Sequence, residues 1–297
     1  FREWIEAGLI GGVREAHFWA PAVYSRMDRL EELKQTYEVP KELDWELWQG
    51  PVMPRRAYCP MYLPGVWRFW TDYGCSTLGD WACHLMDPVF WTLDLGLPSA
   101  VRVDNIGDWN PAKHGATFPQ GDRFTLEFPA KDNRGPVTLV WFDGKECKNV
   151  PRPKELGDGQ PFAPHEPRQK GVMNEGGVIY GDKGVIQYGS HGAKDLRVLP
   201  ETRMADLKAS NGLPSARYAR VPDNSPYKEW LSAIRGGSKV GSDFAYAGNI
   251  TQAALIALAA LFDPGKRLEW DAEKREFKNS AAANARLRVK RMPGFGV

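Results

Sequence analysis

The sequence predicts an α+β fold in which helices pack on one face of a mostly antiparallel, open β-sheet. Three observations support this prediction. Beyond residue 100, apolar and polar residues alternate over several short runs, which is typical of strands with one buried face. The sequence Gly-Asp-Lys-Gly at 181–184 is a hairpin turn signal between two of these runs. Helical patterns follow at 225–235 and 243–262, and strands followed by helices favour the α+β class.

The chain begins with a predicted helix at residues 1–7, which Gly8 ends. Residues 13–19 alternate in character and are predicted to form a strand with one buried face. Residues 20–63 are rich in proline and polar side chains, with a short helix expected around 29–37. A connection of this length inside a compact domain is usually functional or wraps over another domain.

The next predicted helix begins near Ser76, with Thr77 as its cap. Pro88 lacks the N–H that the helix needs, so we expect a kink or a break near Met86. If residues 77–91 were helical at about 100° per residue, four side chains would fall within an arc of roughly 60°. These are Asp80, His84, Asp87 and Trp91.

At least five further segments have the period-two pattern of strands, at 101–105, 124–128, 137–141, 178–180 and 185–188. If helices cover only one face of the sheet, Trp141, Phe142 and Tyr188 would leave apolar area on the other. An exposed apolar patch usually marks a partner surface. We therefore expect the second face of the sheet to be available for oligomerisation.

Composition restricts the classes of function. The 297 residues carry a net charge of +2, which gives no global field for nucleic acid. The densest basic cluster, Arg286, Arg288, Lys290 and Arg291, is expected to be a solvated tail. The most apolar stretch, 253–262, is about half as long as a membrane span. The four cysteines form no C-x-x-C pair, so neither a zinc site nor a disulfide scaffold is indicated.

One motif resembles a known family. The pattern G-x-x-x-L-G-D-x-x-x-H-x-x-D runs from Gly74 to Asp87 and follows Trp67-Arg68. It resembles the C-terminal part of the glucose-fructose oxidoreductase and inositol dehydrogenase family (Gfo/Idh/MocA). Further segments in the expected order are 44–51, 57–60, 141–144, 181–184 and 268–271.

The resemblance implies transfer of hydride between a nicotinamide cofactor, NAD or NADP, and a hydroxyl of a sugar or polyol. Some family members instead use bound NAD to cleave glycosides, so an NAD-dependent glycoside hydrolase is a second possibility. A third, from another class, is a non-catalytic carbohydrate-binding or assembly domain. The resemblance also implies a homo-dimer or tetramer that pairs through the sheet face.

The family's nucleotide-binding features are not found in this sequence. Neither a G-x-G-x-x-G turn nor an E-K-P segment occurs, and the nearest approach, 176–181, has the wrong spacing and lies between strands. We therefore expect residues 1–12 to be a residual helix after a missing Rossmann domain, and 13–297 to be a substrate-binding and oligomerisation domain. The cofactor would then be bound mainly by the missing domain, and this chain alone would be inactive.

By this resemblance, Asp80 and His84 match the catalytic aspartate and histidine. His84 is expected to act as general base toward the hydroxyl, because an imidazole can take a proton near neutral pH. A carboxylate one turn earlier can fix the imidazole tautomer, so Asp80 is expected to orient His84 or to bind a substrate hydroxyl. The alternatives are a satisfied core histidine and an aspartate favoured by the helix dipole.

Four more residues are substrate-binding candidates: Trp67, Arg68, Tyr73 and Asp87. Arg68 can bind a carboxylate or phosphate and is also the candidate cofactor contact, and the alternative is an interdomain salt bridge. No metal is expected, because three ligands on one helix face rarely converge on one ion.

A loop at 161–171 adds two weaker candidates. His165 and Arg168 could close over a substrate, although a solvated loop would explain them as well.

Overall fold

The computed structural model of the chain describes residues 1–166, 174–237, 239–288 and 292–294. The helices are α1 Arg2–Glu6, α2 Trp45–Gln49, α3 Ser76–Leu85, α4 Asp87–Leu93, α5 Pro111–His114, α6 Glu201–Ala209, α7 Pro226–Ile234, α8 Phe244–Ala260 and α9 Ala281–Leu287. The strands are β1 Val13–Ala20, β2 Ala100–Asp104, β3 Arg123–Phe128, β4 Val137–Asp143, β5 Gly176–Gly181, β6 Val185–Gly189, β7 Arg197–Leu199, β8 Arg267–Asp271 and β9 Glu276–Phe277.

The strands form one open sheet in the order β7-β6-β5-β1-β4-β3-β2-β8-β9. Every pairing is antiparallel except that of β1 with β4, which runs parallel from Glu15 opposite Thr138 to Ala20 opposite Asp143. The predicted mostly antiparallel sheet is confirmed, and each of the predicted strands is present. The sequence patterns did not predict β7, β8 and β9 as strands.

Helices α3, α4 and α8 cover one face of the sheet and form the main core with it. Helix α3 packs directly on α8, where an ideal Cβ at Gly79 would come within 2.6 Å of the Cys75 Cβ and within 3.7 Å of Leu258. The close approach is to Cys75 and not to α8, so a side chain at position 79 would force Cys75 to shift. The Asp243 side chain accepts a hydrogen bond from the Tyr246 backbone N–H and so caps α8, as the predicted start at 243 requires.

The expectation of an exposed aromatic patch on the second face is wrong. Trp141 and Tyr188 are buried on the helix side of the sheet, and Phe142 is buried on the opposite side. Residues 144–165 of the same chain lie over Phe142, and Phe162 packs on Trp19 with ring centroids 5.5 Å apart. The chain therefore covers this surface itself, and the dimer or tetramer remains a prediction without support from this patch.

The helical segment after residue 75 is broken where Pro88 predicts it. Helix α3 ends at Leu85, Met86 joins the two helices, and α4 begins at Asp87. The predicted cap at Thr77 is wrong, because Cys75 precedes the first helical residue and the Thr77 hydroxyl donates to the Ala22 carbonyl at 3.0 Å. The short helix expected around 29–37 is a 3-10 helix, Met27–Lys34.

Among the residues described, none of the helices combines the length and the apolar character that a membrane crossing needs.

Candidate functional site

Helix α3 carries Asp80 and His84 one turn apart, and both side chains are partly exposed. The first residue of this helix, Ser76, has a left-handed backbone with φ 58°. A non-glycine residue in this region is uncommon and is retained only where the surrounding structure fixes it. Here Ser76 and Thr77 are buried, so the surrounding structure holds the start of α3 in place.

Asp80 is held by residues from two other segments. The Tyr24 hydroxyl donates to Asp80 Oδ2 at 2.7 Å, and Arg68 Nε lies 3.5 Å from Asp80 Oδ1. Burial, and then the hydrogen bond to Asp80, raise the pKa of Tyr24, so its hydroxyl stays a donor. Because the Asp80 side chain is 37% exposed, its carboxylate keeps room to accept a further hydrogen bond from a ligand.

His84 belongs to a cluster of aromatic rings. Its ring centroid lies 4.4 Å from that of His191 and 5.7 Å from that of Trp81, and Trp81 and His191 are also 5.7 Å apart. Burial lowers the pKa of His84, the nearby His191 lowers it further, and Asp80 opposes both effects. The imidazole is therefore mostly neutral at physiological pH and able to accept a proton.

Asp80 and His84 are neighbours, but no hydrogen bond joins their side chains in the described structure. Asp80 instead meets Tyr24 and Arg68, whereas His84 meets Trp81 and His191. The Asp80 charge still favours the protonated form of His84 through space. The structure thus brings the two residues to one surface without the direct contact through which Asp80 was expected to orient the imidazole.

Asp87 and Trp91 are directed away from His84. The Tyr246 hydroxyl of α8 donates to Asp87 Oδ1 at 2.6 Å, and burial raises the pKa of that carboxyl. Trp91 contacts the Tyr218 ring at 5.2 Å and the Arg2 guanidinium at 4.7 Å. The four-residue arc expected from one straight helix is therefore divided between α3 and α4.

Of the remaining candidates, Trp67 packs against Arg68, and Tyr73 packs against Tyr62. The Arg68 guanidinium carbon is 4.9 Å from the centre of the Trp67 ring. Tyr73 packs on Tyr62 with ring centroids 4.9 Å apart, and its buried hydroxyl has no hydrogen-bond partner among the described residues. Burial strongly raises the pKa of Tyr73.

Two cavities of the described structure are lined by other residues. The larger, about 800 Å³, lies between α8, α9 and the loops at 51–53 and 71–75, and Arg286 and Arg288 line it. The smaller, about 470 Å³, lies between the 27–34 segment and residues 113–116. Lys290 and Arg291 of the basic cluster lie outside the described residues. Neither Asp80 nor His84 lines either of these two cavities.

Of the two loop candidates, His165 makes a local contact, with Nε2 at 2.7 Å from the Val150 carbonyl oxygen. Arg168 lies outside the described residues.

The donor set at this surface suits an oxygen-rich organic ligand better than a metal ion. Among the described residues, no three or more histidine, cysteine, aspartate or glutamate side chains are arranged to hold a metal. Arg68 Nε faces Asp80, but the Arg68 side chain is 41% exposed, which leaves the guanidinium accessible to a ligand oxygen. These residues fit the reacting end of a nicotinamide and a hydroxylated substrate, whereas the sequence offers no glycine-rich turn for the pyrophosphate.

Comparison with known proteins gives one family match, over residues 25–117, to the Gfo/Idh/MocA "Oxidoreductase family, C-terminal alpha/beta domain". This segment is about a third of the chain and contains Arg68, Asp80 and His84. Tyr24 lies just before it. No curated protein matches the chain.

Several solved structures are similar to the chain, including the following three. An NAD-binding protein from Listeria innocua has TM-score 0.46 and 13% identity, covering 90% of this chain and 58% of that one. A putative myo-inositol dehydrogenase from Sinorhizobium meliloti 1021 has TM-score 0.39 and 11% identity, covering 90% and 60%. A levoglucosan dehydrogenase in complex with NADH and levoglucosan has TM-score 0.42 and 18% identity, covering 88% and 59%. The chain thus spans about 60% of the length of these structures.

Sequence reasoning missed two residues at this site, Tyr24 and His191. Tyr24 lies 56 residues before Asp80 in a proline-rich loop, and no local pattern connects the two. His191 follows the predicted strand at 185–188 in a polar turn, where a single histidine gives no signal of its own.

Proposed function

We propose that this chain is the substrate-binding part of a nicotinamide-dependent oxidoreductase that acts on a sugar or polyol hydroxyl. The dinucleotide, NAD or NADP, is bound mainly by a separate nucleotide-binding domain, and this chain contributes the acid-base residues. The observation that carries the proposal is the family match over residues 25–117, which contains Asp80 and His84 one turn apart on α3.

In this proposal His84 takes the proton of the substrate hydroxyl as the alcohol is oxidised, and returns it in the reverse direction. Its lowered pKa suits this role, because a base must be unprotonated to act. A bound nicotinamide would supply the hydride acceptor. Arg68, whose side chain is 41% exposed beside Asp80, donates to a substrate oxygen.

Asp80 positions the substrate in this proposal. Its carboxylate is fixed by Tyr24 at 2.7 Å and accepts a hydrogen bond from a second hydroxyl. The indole of Trp67, adjoining Arg68, provides an apolar face against which the C–H face of a sugar ring packs. By holding the sugar ring and a second hydroxyl, Trp67 and Asp80 place the reacting hydroxyl of the substrate at His84.

The test is His84→Ala in the full-length protein that contains this chain, assayed with NAD and NADP against a panel of sugars and polyols. Because general acid-base residues contribute about 100- to 10,000-fold, we expect turnover to fall by at least about 100-fold with an unchanged fold. His114→Ala, on α5 and outside the site, is the matched control. Near-normal turnover of His84→Ala would overturn the proposal.

Measuring reduced nicotinamide and product with the same protein distinguishes an oxidoreductase from a glycosidase. A sugar dehydrogenase accumulates reduced nicotinamide in proportion to product, whereas a glycosidase that uses NAD transiently regenerates it in each turnover. Released aglycone without net reduction of NAD would therefore favour the glycosidase. For the 297-residue chain alone we expect weak NAD binding, and calorimetry that shows micromolar affinity would contradict the assignment of the dinucleotide to a separate domain.

A further inference from the structure

The loop between β6 and β7 has a costly backbone conformation. The Gly189 N–H donates to the Lys194 carbonyl at 2.6 Å and closes the loop. Within it His191, Ala193 and Asp195 have φ values of 57°, 56° and 54°. Left-handed backbone costs a non-glycine residue about 1 kcal/mol or more, so such residues persist only where the surroundings impose them.

This loop places one imidazole against another. The His191 ring lies 4.4 Å from His84, centroid to centroid, with the ring planes at 38°. Ser190 is fully buried, and its Oγ lies 2.5 Å from His191 Nδ1, which fixes the rotation of the ring. The Trp81 ring contacts both imidazoles and completes the cluster.

We propose that His191 is a positioning residue that holds the His84 imidazole at the candidate site. The inference rests on the proposed function for its effect on turnover, and on the ring contact for its effect on His84. His191 has no counterpart among the residues that the sequence resemblance singled out.

The electrostatics of the cluster agree with this role. Two titratable groups act on His84: His191 from the β6–β7 loop and Asp80 from its own helix. His191 lowers the pKa of His84, because two adjacent imidazoles repel once both are protonated, and Asp80 raises it. Burial acts in the same direction as His191. Removing His191 therefore deletes one of the two influences that keep His84 neutral.

The decisive experiment is a nitrogen-15 NMR titration of His84 in the 297-residue chain. His191→Asn removes the ring while keeping a residue that tolerates left-handed backbone, and His191→Phe keeps an aromatic ring without a titratable nitrogen. We expect the pKa of His84 to rise in both variants, with His114→Ala as the control that leaves it unchanged. In His191→Asn the His84 signals also broaden, because the ring has lost its contact.

The full-length protein supplies the second readout. In His191→Asn we expect kcat to fall by about 10- to 100-fold with little change in KM, because a misplaced base weakens the reacting geometry and not substrate binding. The acid limb of the pH profile moves to higher pH. His191→Phe recovers most of kcat but keeps the displaced limb.

The outcomes separate the two proposals. An unchanged His84 titration in His191→Asn would overturn the role of His191, whatever the protein catalyses. A shifted titration in a full-length protein without nicotinamide-dependent turnover would support the role of His191 and overturn the proposed function.

Discussion

Asp143 at the end of β4 makes the stability of the chain depend on pH. Its side chain and that of Asp122 are both buried, with residue exposures of 3% and 1%. Asp143 accepts hydrogen bonds of 3.3 Å from the Asp122 backbone N–H and from Trp141 Nε1. Burial raises the pKa of Asp143 from 3.8 to about 6, and burial beside Asp143 raises that of Asp122 further.

The sign follows from proton binding. The folded chain holds a proton on Asp143 that the unfolded chain releases at lower pH, so stability is greatest below the ordinary pKa and falls as the pH rises to about 6. The difference between the folded pKa of about 6 and the ordinary 3.8 corresponds to about 3 kcal/mol of stability lost by neutral pH. Asp143→Asn removes this loss, but an amide has one acceptor oxygen, so one of the two hydrogen bonds is lost, which costs about 1 kcal/mol.

We therefore expect Asp143→Asn to be more stable than the wild type by about 2 kcal/mol near pH 8 and less stable by about 1 kcal/mol near pH 4. Urea unfolding followed by tryptophan fluorescence at several pH values measures both. Asp158→Asn, at an exposed position, is the control and should leave the wild-type profile unchanged. Parallel profiles for Asp143→Asn and the wild type would refute the reasoning.

Two further predictions concern α3. Gly79→Ala is expected to lower the free energy of unfolding by about 1–3 kcal/mol, because the new Cβ would meet Cys75. Gly135→Ala is the control, because position 135 has open space around it. Equal losses of stability for the two variants in thermal denaturation would contradict this reasoning. Tyr24→Phe removes the hydrogen bond to Asp80. We expect it to lower the free energy of unfolding by about 1 kcal/mol in chemical denaturation and to raise KM in the full-length protein. A variant with the stability and the KM of the wild type would show that the contact has no role.

Features encoded by neighbouring residues could be predicted from the sequence. The hairpin at 181–184 is closed by the Gly181 N–H donating to the Gly184 carbonyl at 2.9 Å, as its turn residues indicate. The break at Met86 follows from Pro88, which cannot donate the helical hydrogen bond. In both cases the physical cause lies within four residues of the effect.

Features that depend on distant segments could not be predicted. Phe142 has the pattern of a residue on an uncovered sheet face, but residues 144–165 bury it, and they carry no periodic signal. The partners of Asp80 and His84 come from loops on either side in the sequence, Tyr24 and His191. The motif at 74–87 indicates the candidate side chains, whereas only the folded chain shows which residues each one contacts.

The parallel pairing of β1 with β4 has a consequence for biosynthesis. Strand β1 lies inside the sheet, yet its neighbours β4 and β5 are more than a hundred residues further along the chain. During translation the apolar side chains of Phe18 and Trp19 therefore stay exposed until β4 and β5 have left the ribosome. Such late closure slows folding and exposes the nascent chain to aggregation, so efficient production will depend on chaperones or on slow synthesis at low temperature.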